Sequence, residues 1–355
     1  MKPLLMPVVA GLLLSCAAAV TGCDRKPSET PAQARSSVPA KTSVPAELRL
    51  GYFANLTHAQ AVLGVASGDF QKAIGSAALK TKVFNAGPSL VEAMLAGELD
   101  LGYVGPGPAV AAFLASKGKA IRVISGAAAN GVVIVARADA PIQKLEDLAG
   151  KKLATPQLAN TQDIAARHYF KSVLKQDLRS IQPTPNAEQA MLMQRGDIDA
   201  AWVPEPWGAR LILESKARMI AEEKDLWPGG EFATTIVVAD AKFLVEHPDT
   251  VRAFIQVHRK WTKKLQDDAQ AQLPELSAAL FALTTKKLPE GVLPQAIARV
   301  KFTDDPLPAS IHTMAQWAYE LEFAKQKPNL DGMVDPAFAE GAAAGTSPAG
   351  VGGGK

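Results

Sequence analysis

From residue 47 to residue 204 strand-like runs alternate with helix-like runs, and the alternation is made twice. "LRLGYF" reads as a strand and "HAQAVLGVASGDFQKAI" has the apolar spacing of a helix. "KTKVFN" is a strand, "SLVEAMLAG" a helix and "LDLGYVG" a strand again. After "AIRVISGAA" and "GVVIVAR" the rhythm restarts as "KKLATP", "DIAARHYFKSVLKQ", "RSIQPTP", "AEQAMLMQRG" and "DIDAAWVP". Such alternation implies an α/β protein, with parallel sheets covered by helices on both faces. One echo sharpens this. "AMLAGELDLGYVGPGPA" (93–109) can be laid over "AMLMQRGDIDAAWVPEPWG" (190–208) if the second helix takes two more residues. Any two αβ units share a helix. Here a Gly stop (Gly97, Gly196), an Asp entry (Asp100, Asp199), an aromatic (Tyr103, Trp202) and a Pro-rich turn also recur in the same order. Two like-built lobes explain that order.

A further strand, "FATTIVVAD" (232–240), follows the second lobe, and helical segments occupy most of the chain from there to about 327. The simplest topology has the chain crossing near 132–138 and returning near 233–239, a two-strand hinge, with the C-terminal helices packed on the first lobe. The expected organisation is a lipoprotein signal peptide at 1–22, a Pro-rich disordered tether at 23–46, and lobe 1 at 47–134 and 237–328. Lobe 2 takes 135–236, and a Gly- and Ala-rich disordered tail takes 329–355. A length of 355 residues accommodates two domains. The net charge of +3 is spread without basic blocks, which argues against nucleic acid as a partner.

The N-terminus gives an address. Lys2 precedes an apolar run from Leu4 to Val20 that is too short for a membrane span and reads as a secretory signal. "VTGC" resembles a bacterial lipobox, with Cys23 as the lipidated first residue of the mature protein. "LLSC" at Cys16 is a competing match; Cys23 leaves a full apolar core upstream and a polar tether downstream. Asp24 resembles the signal that retains some lipoproteins at the inner membrane. The expected location is the periplasm, anchored by lipid to the inner (cytoplasmic) membrane; the competing reading is a secreted protein with a stray cysteine. The only cysteines are these two, so the mature body offers no disulfide, no Cys nucleophile and no thiolate metal site. No cofactor or metal is expected.

Four strand-to-helix turns can hold a ligand, because helix N-termini at the carboxyl ends of strands carry free N–H groups and positive potential. The first holds Asn55, Thr57 and His58, of which one N-cap explains only one. The second, "VGPGPA", has Gly105 and Gly107 to let the backbone approach a bound group. The third has Asn160, Thr161 and Gln162, in which an ordinary cap is the competing explanation. The fourth, "VPEPW", offers Glu205, which either caps its helix or meets an ammonium group on the ligand. Lys and Arg are absent from all four turns, so an anion would rest on neutral donors and dipoles. His58 is the one group there able to add positive charge.

Together "GYFANLTHAQAVLG", "GYVGPGPA", "LATPQLANTQDIA" and "VPEPWGARL" resemble the periplasmic solute-binding proteins of ABC importers for aliphatic sulfonates, nitrate and taurine. The resemblance implies a type II periplasmic-binding-protein fold, two doubly wound lobes that close on a small anion or zwitterion. It implies a monomer without enzymatic activity that delivers its solute to an ABC permease. Carried over, Asn55, Thr57, His58, Gly105 and Gly107 line lobe 1, Asn160, Thr161 and Gln162 face them from lobe 2, and Glu205 stands at the edge. Ala54 and Ala159 depart from the family pattern, which commonly has Pro and Gly there. Alternatives on the same fold are a thiamine-pyrimidine-type binding protein, a synthase of that pyrimidine, and a sensor-type binding protein. The export signal and the cysteine-free body count against the synthase.

Overall fold

Leu48, Leu50 and Tyr52 alternate with Arg49 and Gly51 along β1 (Glu47–Phe53), so one face of the strand buries three large side chains in a single core. Around β1 the first sheet assembles. The structure is a computed structural model that describes residues 44–339. The signal peptide, Cys23, Cys16, nearly all of the tether and the tail beyond residue 339 lie outside the described residues.

β2 (Ala78–Phe84), β3 (Leu101–Val104) and β4 (Ile121–Asn130) complete the first run of strands. The helices α1 (Ala59–Ala66), α2 (Asp69–Ala73), α3 (Gly87–Leu95) and α4 (Pro106–Ala115) lie between them. The second run has β5 (Val132–Ala136), β6 (Leu153–Thr155), β7 (Ile181–Pro183), β8 (Ala200–Pro204) and β9 (Arg218–Glu222). Its helices are α5 (Thr161–His168), α6 (Asn186–Arg195) and α7 (Trp207–Ser215), with α5 running on as a π-helical turn over Tyr169–Leu174. β10 (Ala233–Asp240) then returns the chain to the first sheet. It is followed by α8 (Ala241–Glu246), α9 (Pro248–Asp268), α10 (Leu273–Thr284), α11 (Val292–Ile297), β11 (Val300–Phe302), α12 (Pro308–Glu320) and α13 (Pro336–Ala339).

The strand order is β11-β4-β10-β3-β1-β2 in the first sheet and β7-β6-β8-β5-β9 in the second. Read from the β2 edge and the β7 edge the two share one plan: three parallel strands, then an antiparallel strand, β10 or β5, then β4 or β9. The antiparallel member adds to the expected parallel strands; strand rhythm carries no information on direction. The repeated unit is matched at the level of single hydrogen bonds. Arg49 N–H donates to the Asp100 carboxylate at 2.7 Å, and Lys152 N–H to that of Asp199 at 3.0 Å. The carbonyls of the same two aspartates accept from Asp240 and Arg137, each at 2.8 Å. Gly97 and Gly196 end the preceding helices with φ of 74° and 77°, a conformation other residues adopt with strain.

The outward crossing is one residue long. β4 ends at Asn130 (φ 59°), Gly131 has φ 67°, and β5 starts at Val132. The return runs through residues 223–232. β5 lies wholly in the second sheet and β10 wholly in the first, so sheet membership changes at 131 and 233 rather than at the expected 134 and 236. An apolar run such as "VVIVA" looks the same whichever sheet it joins.

α9 buries Val251, Phe254, Ile255, His258, Trp261 and Leu265, a helical stripe set against the first sheet. α12 departs from the expected packing on lobe 1 alone. Its Ile311 and Ala315 join a core of the first lobe, while Met314 and Ala318 join a core of the second. Residues 329–339, expected as the start of a disordered tail, are packed instead. Leu330, Met333 and Phe338 are buried there, and Val123 donates to the Met333 carbonyl at 2.8 Å.

Candidate functional site

The first contributing turn follows β1. Asn55 precedes a 3₁₀ turn, Leu56–His58, that leads into α1, and Asn55, Thr57 and His58 are all buried. α3 begins at Gly87, α4 follows Gly105, and α5 follows Asn160, whose side chain caps it by accepting from Asp163 N–H at 2.8 Å. These N-termini converge. They enclose a cleft of about 300 Å³ counting its open part, walled by Asn55, Thr57, His58, Gly87 and Gly105 from one lobe and by Asn160, Thr161, Gln162 and Pro204 from the other. Among the described residues no acid, Lys or Arg lines it. Its potential comes from helix ends, where the first N–H groups have no carbonyl partner within the helix.

Phe53, Gly87, Pro108, Pro204, Thr234 and Thr235, none of them expected from sequence, also stand in this wall. Thr235 is the telling one. Its hydroxyl is buried and without a hydrogen-bond partner, a condition that costs about 1–3 kcal/mol unless something else supplies the bond. The signal was a Thr pair inside the apolar run "FATTIVVAD". Its neighbour Thr234 donates to the Asn130 carbonyl at the crossing.

His58 differs from the expected cation. Phe53 N–H donates to its Nδ1 at 3.3 Å, so a neutral ring carries its proton on Nε2. Burial lowers its pKa to about 3. It is a neutral donor near neutral pH.

Gly105 and Gly107 serve the approach of the two lobes. A Cβ on Gly105 would sit 2.2 Å from Thr161 Oγ1, and one on Gly107 would lie 2.9 Å from Ile164 Cδ1 and 3.2 Å from the Thr161 backbone. Gly107 N–H donates to Thr161 Oγ1 at 3.2 Å, and Trp207 Nε1–H donates to Asn55 Oδ1 at 2.8 Å. Gly107 itself is buried behind the cleft wall rather than in it.

Glu205 is turned away from the cleft. It is fully buried, accepts from Ala209 N–H at 2.9 Å and pairs with Arg299 at 2.6 Å. Burial pushes its pKa up, and the Ala209 bond and the Arg299 charge oppose that. This corrects its expected place at the edge of the site: its ammonium-reading capacity is taken by a guanidinium of the same chain. His258 is structural too, its ring bridging Tyr103 OH and the Gly126 carbonyl at 2.8 Å each.

Residues 41–278 match the family described as NMT1-like, two thirds of the chain and all four turns. The chain belongs to the NMT1-like family. A taurine-binding periplasmic protein of Escherichia coli K12 is 26% identical over 234 residues, 64% of this chain and 70% of that relative. A putative aliphatic sulfonates-binding protein of the same organism is 27% identical over 195 residues, 54% of this chain; the match spans only 60% of that relative's length. The solved alkanesulfonate-binding protein of Xanthomonas axonopodis pv. citri, bound to MOPS, superposes with a TM-score of 0.67 at 19% identity, over 82% of this chain and 98% of that one. At that identity the likeness speaks to the fold, which is that of a periplasmic binding protein. No helix among the described residues of this NMT1-like chain is long and apolar enough to cross a membrane.

Proposed function

We propose that the protein is the extracytoplasmic solute-binding component of an ABC importer, capturing a small solute with an oxoanion head group between two closing lobes. The observation that carries this reading is the cleft itself. Four helix N-termini, the amides and hydroxyls of Asn55, Thr57, Asn160, Thr161 and Gln162, and the unpartnered Thr235 hydroxyl meet where no charged side chain competes. Neutral donors in a desolvated site bind an oxoanion through directed hydrogen bonds that strengthen as water leaves. The names of the relatives support the solute class. The lobe-to-lobe bonds of Gly107 and Trp207 belong to a closed state, which a permease would sense as the loaded form.

On this reading the protein carries out no chemistry, acts as a monomer, and is held at the inner membrane by lipid on Cys23. A thermal-shift screen of sulfonates, nitrate and taurine tests the receptor function. A true ligand at a hundredfold its Kd stabilises the fold by about 2.7 kcal/mol. No shift with any oxoanion overturns the reading. Metabolic palmitate labelling that disappears in Cys23→Ser tests the anchor.

A further inference from the structure

Each side-chain amide in the cleft wall, and the imidazole, is held by a neighbour that fixes its sense. Trp207 Nε1–H can only donate, so the Asn55 atom 2.8 Å from it is Oδ1, and Nδ2 is left over. Asp163 N–H fixes the Asn160 amide in the same way, at 2.8 Å from Oδ1. The remaining Asn160 Nδ2 donates to Gln162 Oε1 at 3.1 Å, which leaves Gln162 its Nε2. The Phe53 amide takes Nδ1 of His58 and leaves Nε2–H. Asn55 Nδ2, His58 Nε2 and Gln162 Nε2 have no partner among the described residues, and none of the three is sealed from the cleft. The carboxylates nearby are used elsewhere. Asp163, next in sequence to Gln162, accepts from Thr155 Oγ1 at 2.7 Å, Ala159 N–H at 2.9 Å and Arg167 Nε at 2.7 Å, and Glu205 is closed by Arg299. Thr161 Oγ1 already accepts from Gly107 N–H and Thr234 Oγ1 already donates to the Asn130 carbonyl, so among the described residues of the wall only the Thr57 and Thr235 hydroxyls turn freely.

Resting on the receptor reading, we infer that the cleft discriminates by proton count: it holds a head group whose oxygens all accept, and refuses one of equal size and charge that carries an O–H. Asn160 and Trp207 are the positioning residues for this discrimination, because they turn the Gln162 and Asn55 amides with N–H toward the cleft. An O–H brought against those N–H groups sets donor against donor. It loses the bond it made to water, and the N–H group facing it loses its own.

Two matched pairs test this: methanesulfonate with methylphosphonate, and benzenesulfonate with phenylphosphonate. At about pH 5.5 all four are monoanions, and the members of each pair share one shape and differ by a single P–OH. His58 is neutral at that pH. Titration calorimetry of the intact protein should give each sulfonate at least about tenfold the affinity of its phosphonate. Gln162→Glu puts an acceptor where Nε2 stood, in the first turn of α5, where a carboxylate suits the helix end. The variant should reverse the order, weakening the sulfonates and tightening the phosphonates, with the gain fading as pH rises and the P–OH ionises. Equal affinities within a pair in the wild type would overturn the inference. So would a Gln162→Glu variant that weakens both members of a pair by the same factor. A wild type that binds none of the four, nor nitrate, would instead overturn the receptor reading itself.

Discussion

Trp207 of the second lobe donates its indole N–H to the Asn55 carboxamide of the first across 2.8 Å, and this bond is available only while the lobes are together. A net hydrogen bond of this kind contributes about 1 kcal/mol. Trp207→Phe keeps an aromatic side chain, though a smaller one, and loses the donor. It should weaken solute binding about fivefold by calorimetry while leaving the unliganded melting temperature nearly unchanged. A large drop in that temperature would mean that the bond supports the fold rather than closure.

Gly107→Ala should obstruct closure. The added methyl meets Ile164 Cδ1 at 2.9 Å and the Thr161 backbone at 3.2 Å, and the backbone cannot rotate away as a side chain can, so the second lobe must shift outward to admit it. Binding should weaken by about tenfold or more, and small-angle scattering at saturating solute should give a larger radius of gyration than wild type. An unchanged radius with unchanged affinity would show that the lobes accommodate the methyl.

Solute affinity should be flat between about pH 5.5 and 8. With its pKa near 3, His58 is neutral throughout that window, and a bound anion that raised it by about two units would leave it mostly neutral still. Affinity climbing as pH falls through 6.5 would mean that an imidazolium reads the anion.

Stability should peak near pH 6.5. Below that pH the unfolded chain protonates both His58 and His258, whereas burial holds both native pKa values near 3, so stability falls on acidification by up to about 1.4 kcal/mol per pH unit for each. Glu223 acts in the opposite sense. Burial raises its pKa from 4.5 to about 7 although the indoles of Trp202 and Trp227 donate to it, so its term weakens the fold as pH rises from 4.5 to 7. Between 4.5 and 6.5 the lowered imidazoles, to which half-buried His168 adds, oppose the raised carboxyls of Glu223 and Glu205; above 6.5 the carboxyls act unopposed. Melting temperatures from pH 4 to 9 should trace this, and His58→Gln should remove about one proton from the acid slope.

Removing the partner of Glu205 should damage the fold more than the site. Arg299→Met leaves a buried carboxylate unpaired, a loss of about 3 kcal/mol in urea unfolding, and adding Glu205→Gln should restore most of it. Solute affinity in the double variant should match wild type. A change confined to ammonium-bearing solutes would return Glu205 to the site.

Much of this architecture was legible because its signals are local. Gly97–Asp100–Tyr103 and Gly196–Asp199–Trp202 are short-range patterns, and each aspartate is tied to its strand neighbours in the same way. The polar turns at Asn55–His58 and Asn160–Gln162 stood out because one cap needs one side chain. What was missed depends on distance. Nothing near Glu205 announces Arg299, 94 residues away. The state of His58 depends on burial and on the Phe53 amide, neither of which its neighbours in sequence reveal. Thr235 carries meaning only once its strand is seen to border the cleft. The direction of β5 and β10, the double allegiance of α12 and the packing of residues 329–339 likewise arise from tertiary contacts.

Gly131 alone separates β4 from β5, whereas residues 223–232 lead back. The return is fastened to the same place, because Asn130 N–H donates to the Phe232 carbonyl at 3.0 Å and Ala233 pairs with Ala129, so both crossings act as one pin. The sheet edges farthest from that pin are β2 and β7, and the residues just past them, Asn85 and Pro185, line one surface hollow together with Trp207. Any separation of the lobes about that pin is therefore greatest on the side that holds Trp207.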